Sequence, residues 1–130
     1  MTGIDTNILV RFFTQDDPDQ GYRADRFLQL LGPESPGFLS LVSIAELVWV
    51  LRSRYGVSKA QLIQYLEMLL RSSELVLESP DAVRQALLRF SFGKADFADC
   101  LIERSGSLAG CTETVTFDED ASKLSGMRLL

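Results

Sequence analysis

Residues 37–55 read GFLSLVSIAELVWVLRSRY, and two periodicities meet in that stretch. The opening GFLSLVS is a short apolar run of the kind that forms a strand. From Ser43 onward the period is 3.6, because Ile44, Leu47, Val48 and Leu51 fall at i, i+3, i+4 and i+7, the spacing of a helix with one buried stripe. A strand that turns directly into a helix is the building unit of an α/β fold. Glu46 is the anomaly of the segment. An ionised carboxylate in an apolar setting costs many kcal/mol unless it is neutralised, paired or bound to a metal. It lies off the stripe, beside Ser43 and Val50, where a residue would project from a buried helix into a cleft.

The same alternation runs outward in both directions. MTGID is a short first strand, and DPDQGYRADRFLQLL is a helix with Pro18 near its start and apolar Tyr22, Phe27, Leu28, Leu30 and Leu31, stopped by Gly32 and Pro33. Gly56 ends the helix that carries Glu46, and Ser58 caps SKAQLIQYLEMLLRS. ELVLE alternates as a strand; SPDAVRQALLRF opens with Ser79 as cap and Pro80 at the first helical position. ADFADCLIERSGSLAG reads as a helix ending at Gly106 or Gly110, and TETVTF as a strand. The expected class is a three-layer α/β/α sandwich around a central, mainly parallel sheet. Its 130 residues, 46% of them hydrophobic, make one domain spanning 1–130, with no repeat or linker.

Composition narrows the chemistry. There is no histidine, which excludes a histidine general base and a Ser/His/Asp triad. Cys100 and Cys111 have no CxxC spacing and read as reduced and structural. Any hydrolysis must therefore run on carboxylates, with a hard, oxygen-seeking cation such as Mg²⁺ or Mn²⁺. The net charge of −5 argues against a generally basic surface, though Arg23, Arg26, Arg52, Arg54 and Lys59 could supply a local rim. No apolar run approaches the roughly 20 residues needed to cross a bilayer, and no signal peptide is seen, so a cytoplasmic protein is expected.

The acids fall at telling places. Asp5 ends the first strand and Asp118 ends a late one, and in open parallel sheets ligands bind beyond the carboxyl ends of the strands. Asp96, Asp99 and Glu103 are spaced i, i+3, i+7, which puts three like charges on one helical face. With Glu46 they suggest a rim that repels itself unless a divalent ion is bound. Each also has a structural reading. Asp96 and Asp99 fit a capping box, Asp5 can cap the first helix, Asp118 can serve a turn, and Glu46 can pair with Arg11. Glu103 and Asp120 read as solvated charges.

Four segments in order carry a resemblance: IDTNILVRFFTQDDPDQ, LSLVSIAELVWVL, ADFADCLIERSGSLAGC and TVTFDEDASKLSGMRLL. Together they resemble the PIN-domain family, closely its VapC-type toxins, over essentially the whole chain. The resemblance implies an endoribonuclease in which an acidic quartet binds Mg²⁺ or Mn²⁺ and leaves a 5′-phosphate and a 3′-hydroxyl. By position the quartet is Asp5 of DTN, Glu46, Asp99 of DCLI and Asp118 of TFD. Asp96 is an auxiliary ligand, and whether it or Asp99 is the primary third ligand stays open. Thr6, Asn7 and Thr116 match supporting positions. Setting the quartet aside, the 18 acids fall to 14 against 13 bases, so most of the negative balance belongs to the proposed site.

The resemblance also implies a small antitoxin protein as partner, and a homodimer. Phe12, Phe13, Trp49 and Tyr65 could line such an interface, although core is the simpler reading for aromatics. Two rivals remain. A haloacid-dehalogenase-like phosphatase wants a second Asp two residues after Asp5, where Asn7 stands, and a receiver domain leaves Glu46 unexplained. A non-catalytic module would hold a metal or an antitoxin-like peptide with the same residues.

Overall fold

A computed structural model describes residues 1–130. By internal contacts the chain divides into two compact units, Met1–Ser79 and Pro80–Leu130.

The first unit runs β1 (Thr2–Gly3), α1 (Thr6–Thr14), α2 (Pro18–Gln29), β2 (Gly37–Leu39), α3 (Leu41–Ser53), α4 (Lys59–Arg71) and β3 (Leu75–Leu77). Its strands pair in the order β1-β2-β3, all parallel, with Thr2 opposite Gly37 and Gly37 opposite Leu75. Each pair of helices is thus the crossover that parallel strands require. The chain is α/β with parallel strands, as the alternating periodicities predict.

The stripe of α3 is buried as its spacing demands, with Ile44, Leu47, Val48 and Leu51 all in the core. The strand before it is shorter than GFLSLVS. Ser40 sits extended at the N-cap and its hydroxyl accepts from the Ser43 N–H at 3.1 Å, so Leu41 and Val42 form the first helical turn. At the other end the Val57 N–H reaches the Leu51 carbonyl at 3.0 Å around Gly56, whose φ of +63° suits a residue without a Cβ. Ser58 caps α4 as expected, its hydroxyl accepting from Gln61 N–H.

In α2 the buried residues are the small Gly21 and Ala24, Phe27 and Leu28 are half-buried, and Tyr22 is exposed, as is Leu30 just beyond the helix. Small residues at a helix contact let α1 and α2 pack closely.

The second unit runs α5 (Pro80–Phe92), α6 (Phe97–Leu108), β4 (Thr114–Thr116), a 3₁₀ turn (Ala121–Lys123) and β5 (Met127–Leu129). β4 and β5 pair in parallel, Thr114 opposite Met127. β5 is too short to show alternation, and the sequence reading did not separate it from GMRLL. The two helices pack on each other, with the Phe90 and Phe97 rings edge to face at 5.8 Å, and Val83, Ala86, Cys100 and Leu101 are buried as well.

Glu103 corrects the sequence reading more sharply. It is not solvated but buried, and its carboxylate accepts from Arg89 Nη1 at 2.6 Å and from Arg104 Nε and Nη2 at 2.6 and 2.8 Å. Arg89 also donates to the Ser125 carbonyl at 2.7 Å. Gly126 follows in a positive-φ conformation, and a Cβ there would run into the Glu103 carboxylate. Asp120 is exposed as expected, with Lys123 at 3.4 Å.

Candidate functional site

In the first unit Asp5 leaves β1 in an extended conformation and caps α1, its Oδ1 accepting from the Thr6 N–H at 2.7 Å. The capping role is real, and it engages one carboxylate oxygen. The Thr6 side chain is buried beneath it, and Asn7 is exposed beside it. Glu46 projects from α3 and is exposed, which corrects the reading of a carboxylate taken out of water. Its position off the stripe explains this: the stripe goes to the core and the opposite face goes to solvent. Asp5 and Glu46 line one cavity of about 390 Å³ with Thr6, Asn7, Val10, Arg11, Trp49, Val50, Arg54 and Tyr55.

Arg11 does not pair with Glu46. Its Nη1 donates to both oxygens of Asp16 at 2.9 and 3.0 Å, and its Nε donates to Gln20. Tyr55 donates to Asp16 Oδ2 at 2.7 Å and Thr14 to Oδ1 at 2.8 Å. These bonds, that of Tyr55 foremost, lower the Asp16 pKa to about 2, and the Arg11 guanidinium is raised in turn. One cation on the cavity wall is therefore committed to a carboxylate outside the cavity lining.

In the second unit Asp96 stands at the N-cap of α6 but its side chain makes no capping hydrogen bond. The capping-box reading fails at this residue, and the carboxylate is free and exposed. Asp99 lies in the first turn, half-buried. Its pKa is raised, first by burial and then by the charges of Asp96 and Asp118. Two like charges thus act on Asp99, and no cation is among the causes of its shift. The Oδ1 of Asp118 accepts from the N–H groups of Asp120 and Ala121 at 2.9 and 3.2 Å, and its own N–H donates to Thr116 Oγ1 at 3.0 Å. The turn reading of Asp118 is thus also real, and it leaves Oδ2 unengaged. Glu103 takes no part, because Arg89 and Arg104 neutralise it.

No three carboxylate or cysteine side chains lie close enough together to form a ready metal cage. The donor chemistry nevertheless fits a hard divalent cation: the donors are oxygens only, and two like charges act on Asp99. Sequence reasoning missed the Asp16–Arg11–Tyr55 group, whose members are 39 or more residues apart for the tyrosine contact. It left Trp49 between core and interface, and the residue is 59% exposed. The signal was present, since Trp49 is i+3 from Glu46 and shares its face.

The model of the PIN domain matches residues 4–127. The chain therefore belongs to the PIN-domain family, whose members are generally nucleases. A search of curated proteins finds no match. No helix is long and apolar enough to cross a membrane.

Proposed function

We propose that the protein is a divalent-metal-dependent endoribonuclease, acting in the cytoplasm as the toxin of a toxin–antitoxin pair. The two units would work as one nuclease domain, a reading supported by a family match that runs through both. Asp5, Glu46, Asp99 and Asp118 are the metal-binding and catalytic residues, with Asp96 auxiliary and Thr6, Asn7 and Thr116 supporting. The proposal rests on the acidic trio Asp96, Asp99 and Asp118 in a chain of a nuclease family, in which Asp99 is held above the usual carboxylate range first by burial and then by the charges of the other two. A bound Mg²⁺ or Mn²⁺ would offset those charges.

When bound, the cation would acidify water and offset charge on the phosphate. The chain's own residues do the positioning. Backbone N–H groups fix one oxygen of Asp5 and one of Asp118, so these side chains are oriented before any ligand arrives. Thr116 holds the backbone of Asp118 at 3.0 Å. Glu46 projects from a helix whose opposite side is locked in the core, so its backbone has little freedom. With no histidine in the chain, proton transfer falls to these carboxylates and to water.

The partners proposed are RNA, an antitoxin protein and a second copy of the chain. A second reading is a non-catalytic module that holds a metal or an antitoxin-like peptide with the same residues. Cleavage of RNA by the wild type in Mg²⁺ or Mn²⁺, its loss in EDTA and in Asp5→Asn and Glu46→Gln, separates the two.

A further inference from the structure

Trp49 is the only tryptophan of the chain and is 59% exposed, on the wall of the cavity that Asp5 and Glu46 line. The Arg54 guanidinium lies 5.8 Å from its ring centroid and forms no ion pair, unlike Arg11, which is held by Asp16. One cavity wall thus offers an aromatic face and an unpaired guanidinium beside two carboxylates. We propose that Trp49 and Arg54 form a nucleotide-binding subsite for single-stranded RNA, the base stacking on the indole and the phosphate meeting the guanidinium. This rests on the nuclease reading for the identity of the polymer.

Charge argues for a nucleic acid over a protein segment. A base has a π-face for the indole, and its phosphate supplies the anion that Arg54 lacks. The same phosphate chain then runs along a wall that carries Asp5 and Glu46. Duplex RNA does not fit this device, because its bases are already stacked and paired. The subsite thus selects unpaired nucleotides, and stacking tolerates any base, so it confers strand selectivity with little sequence preference.

The test uses the full chain with Asp118→Asn, a variant that the proposed site predicts to be unable to cleave, in Mg²⁺. A mixed-sequence single-stranded RNA should quench the lone tryptophan, and the same RNA annealed to its complement should not. Binding of end-labelled RNA by anisotropy should weaken roughly 5- to 100-fold in Trp49→Ala and recover in Trp49→Phe, with Phe92→Ala, another exposed aromatic, unchanged. Arg54→Ala should weaken binding and flatten its salt dependence. The inference is overturned if RNA leaves the fluorescence unmoved and Trp49→Ala binds as before. It is also overturned if the fluorescence follows protein concentration without RNA, which would make the indole a protein contact. The two readings fail separately: wild type that cleaves RNA with an unchanged KM in Trp49→Ala rejects the subsite alone. Quenching by RNA that the wild type never cleaves rejects the nuclease alone.

Discussion

The carboxylate of Glu103 and the guanidinium of Arg89 meet at 2.6 Å, with the glutamate side chain 4% exposed and the arginine 28%. Arg104 completes the neutralisation, and Arg89 carries the link on to the Ser125 carbonyl. One buried charge therefore ties α5, α6 and the loop before β5 together. Removing one member of a buried pair leaves the other unsatisfied, at a cost of about 3–5 kcal/mol. Both arginines retain access to solvent, so Glu103→Ala should cost about 3 kcal/mol, the lower end of that range. Urea unfolding should show a lower midpoint at unchanged slope. A midpoint equal to wild type would mean that the cluster adds nothing.

Acid should undo this cluster and the Asp16 group in a defined direction. Arg104's hydrogen bonds, then the charges of both arginines, hold Glu103 below its ordinary 4.5, and Asp16 falls from 3.8 to about 2. A depressed folded-state pKa gives stability that is present above the unfolded value and lost as pH falls through the folded one. Melting temperature should thus be steady above about pH 5 and fall progressively below pH 4.5. Glu103→Ala should flatten part of that fall. A melting temperature that rises on acidification through this window would contradict the assignment.

Tyr55 is the largest cause of the low Asp16 pKa. In Tyr55→Phe that pKa should move up from about 2 toward the ordinary 3.8. Side-chain carboxyl shifts followed by NMR against pH would show it, and an unmoved titration would assign the effect to Arg11 and Thr14 instead.

Asp99 works in the opposite sense, since burial and two neighbouring acids disfavour its charge. Asp99→Asn should stabilise the protein in EDTA, by on the order of 1 kcal/mol or less, a few degrees in Tm. In saturating Mg²⁺ the wild type should gain stability that the variant gains less of, because a ligand that binds only the folded state adds to its stability. A variant destabilised in EDTA would show that Asp99 supports the fold.

Much of the fold could be read from periodicity. The i, i+3, i+4, i+7 stripe of α3 is in the core, and Ser58 and Pro80 begin helices where expected. The failures share a cause, in that each depends on a partner distant in sequence. That α2 buries Gly21 and Ala24 depends on its packing against α1. Glu103 is buried because Arg89 stands on a neighbouring helix, which spacing along α6 cannot reveal. At the candidate site the residue types and strand-end positions were legible. The division of labour within each carboxylate was not: Asp5 and Asp118 each have one oxygen bound to backbone N–H groups, while Asp96 has a cap position and no cap bond. Hydrophobicity alone left Trp49 between core and interface, while its spacing from Glu46 gives the exposed face.

The central claim is metal-dependent RNA cleavage by the acidic residues. Its most direct test is incubation of purified protein with a labelled pool of structured RNAs in Mg²⁺, Mn²⁺ or EDTA, with Asp5→Asn and Glu46→Gln alongside. The account predicts discrete cleavage by the wild type with either metal, none in EDTA, and at least a 100-fold loss in both variants, on the order of 3 kcal/mol in the barrier. Cleavage that persists undiminished in both variants, or a wild type as inert as they are across the pool, would contradict it.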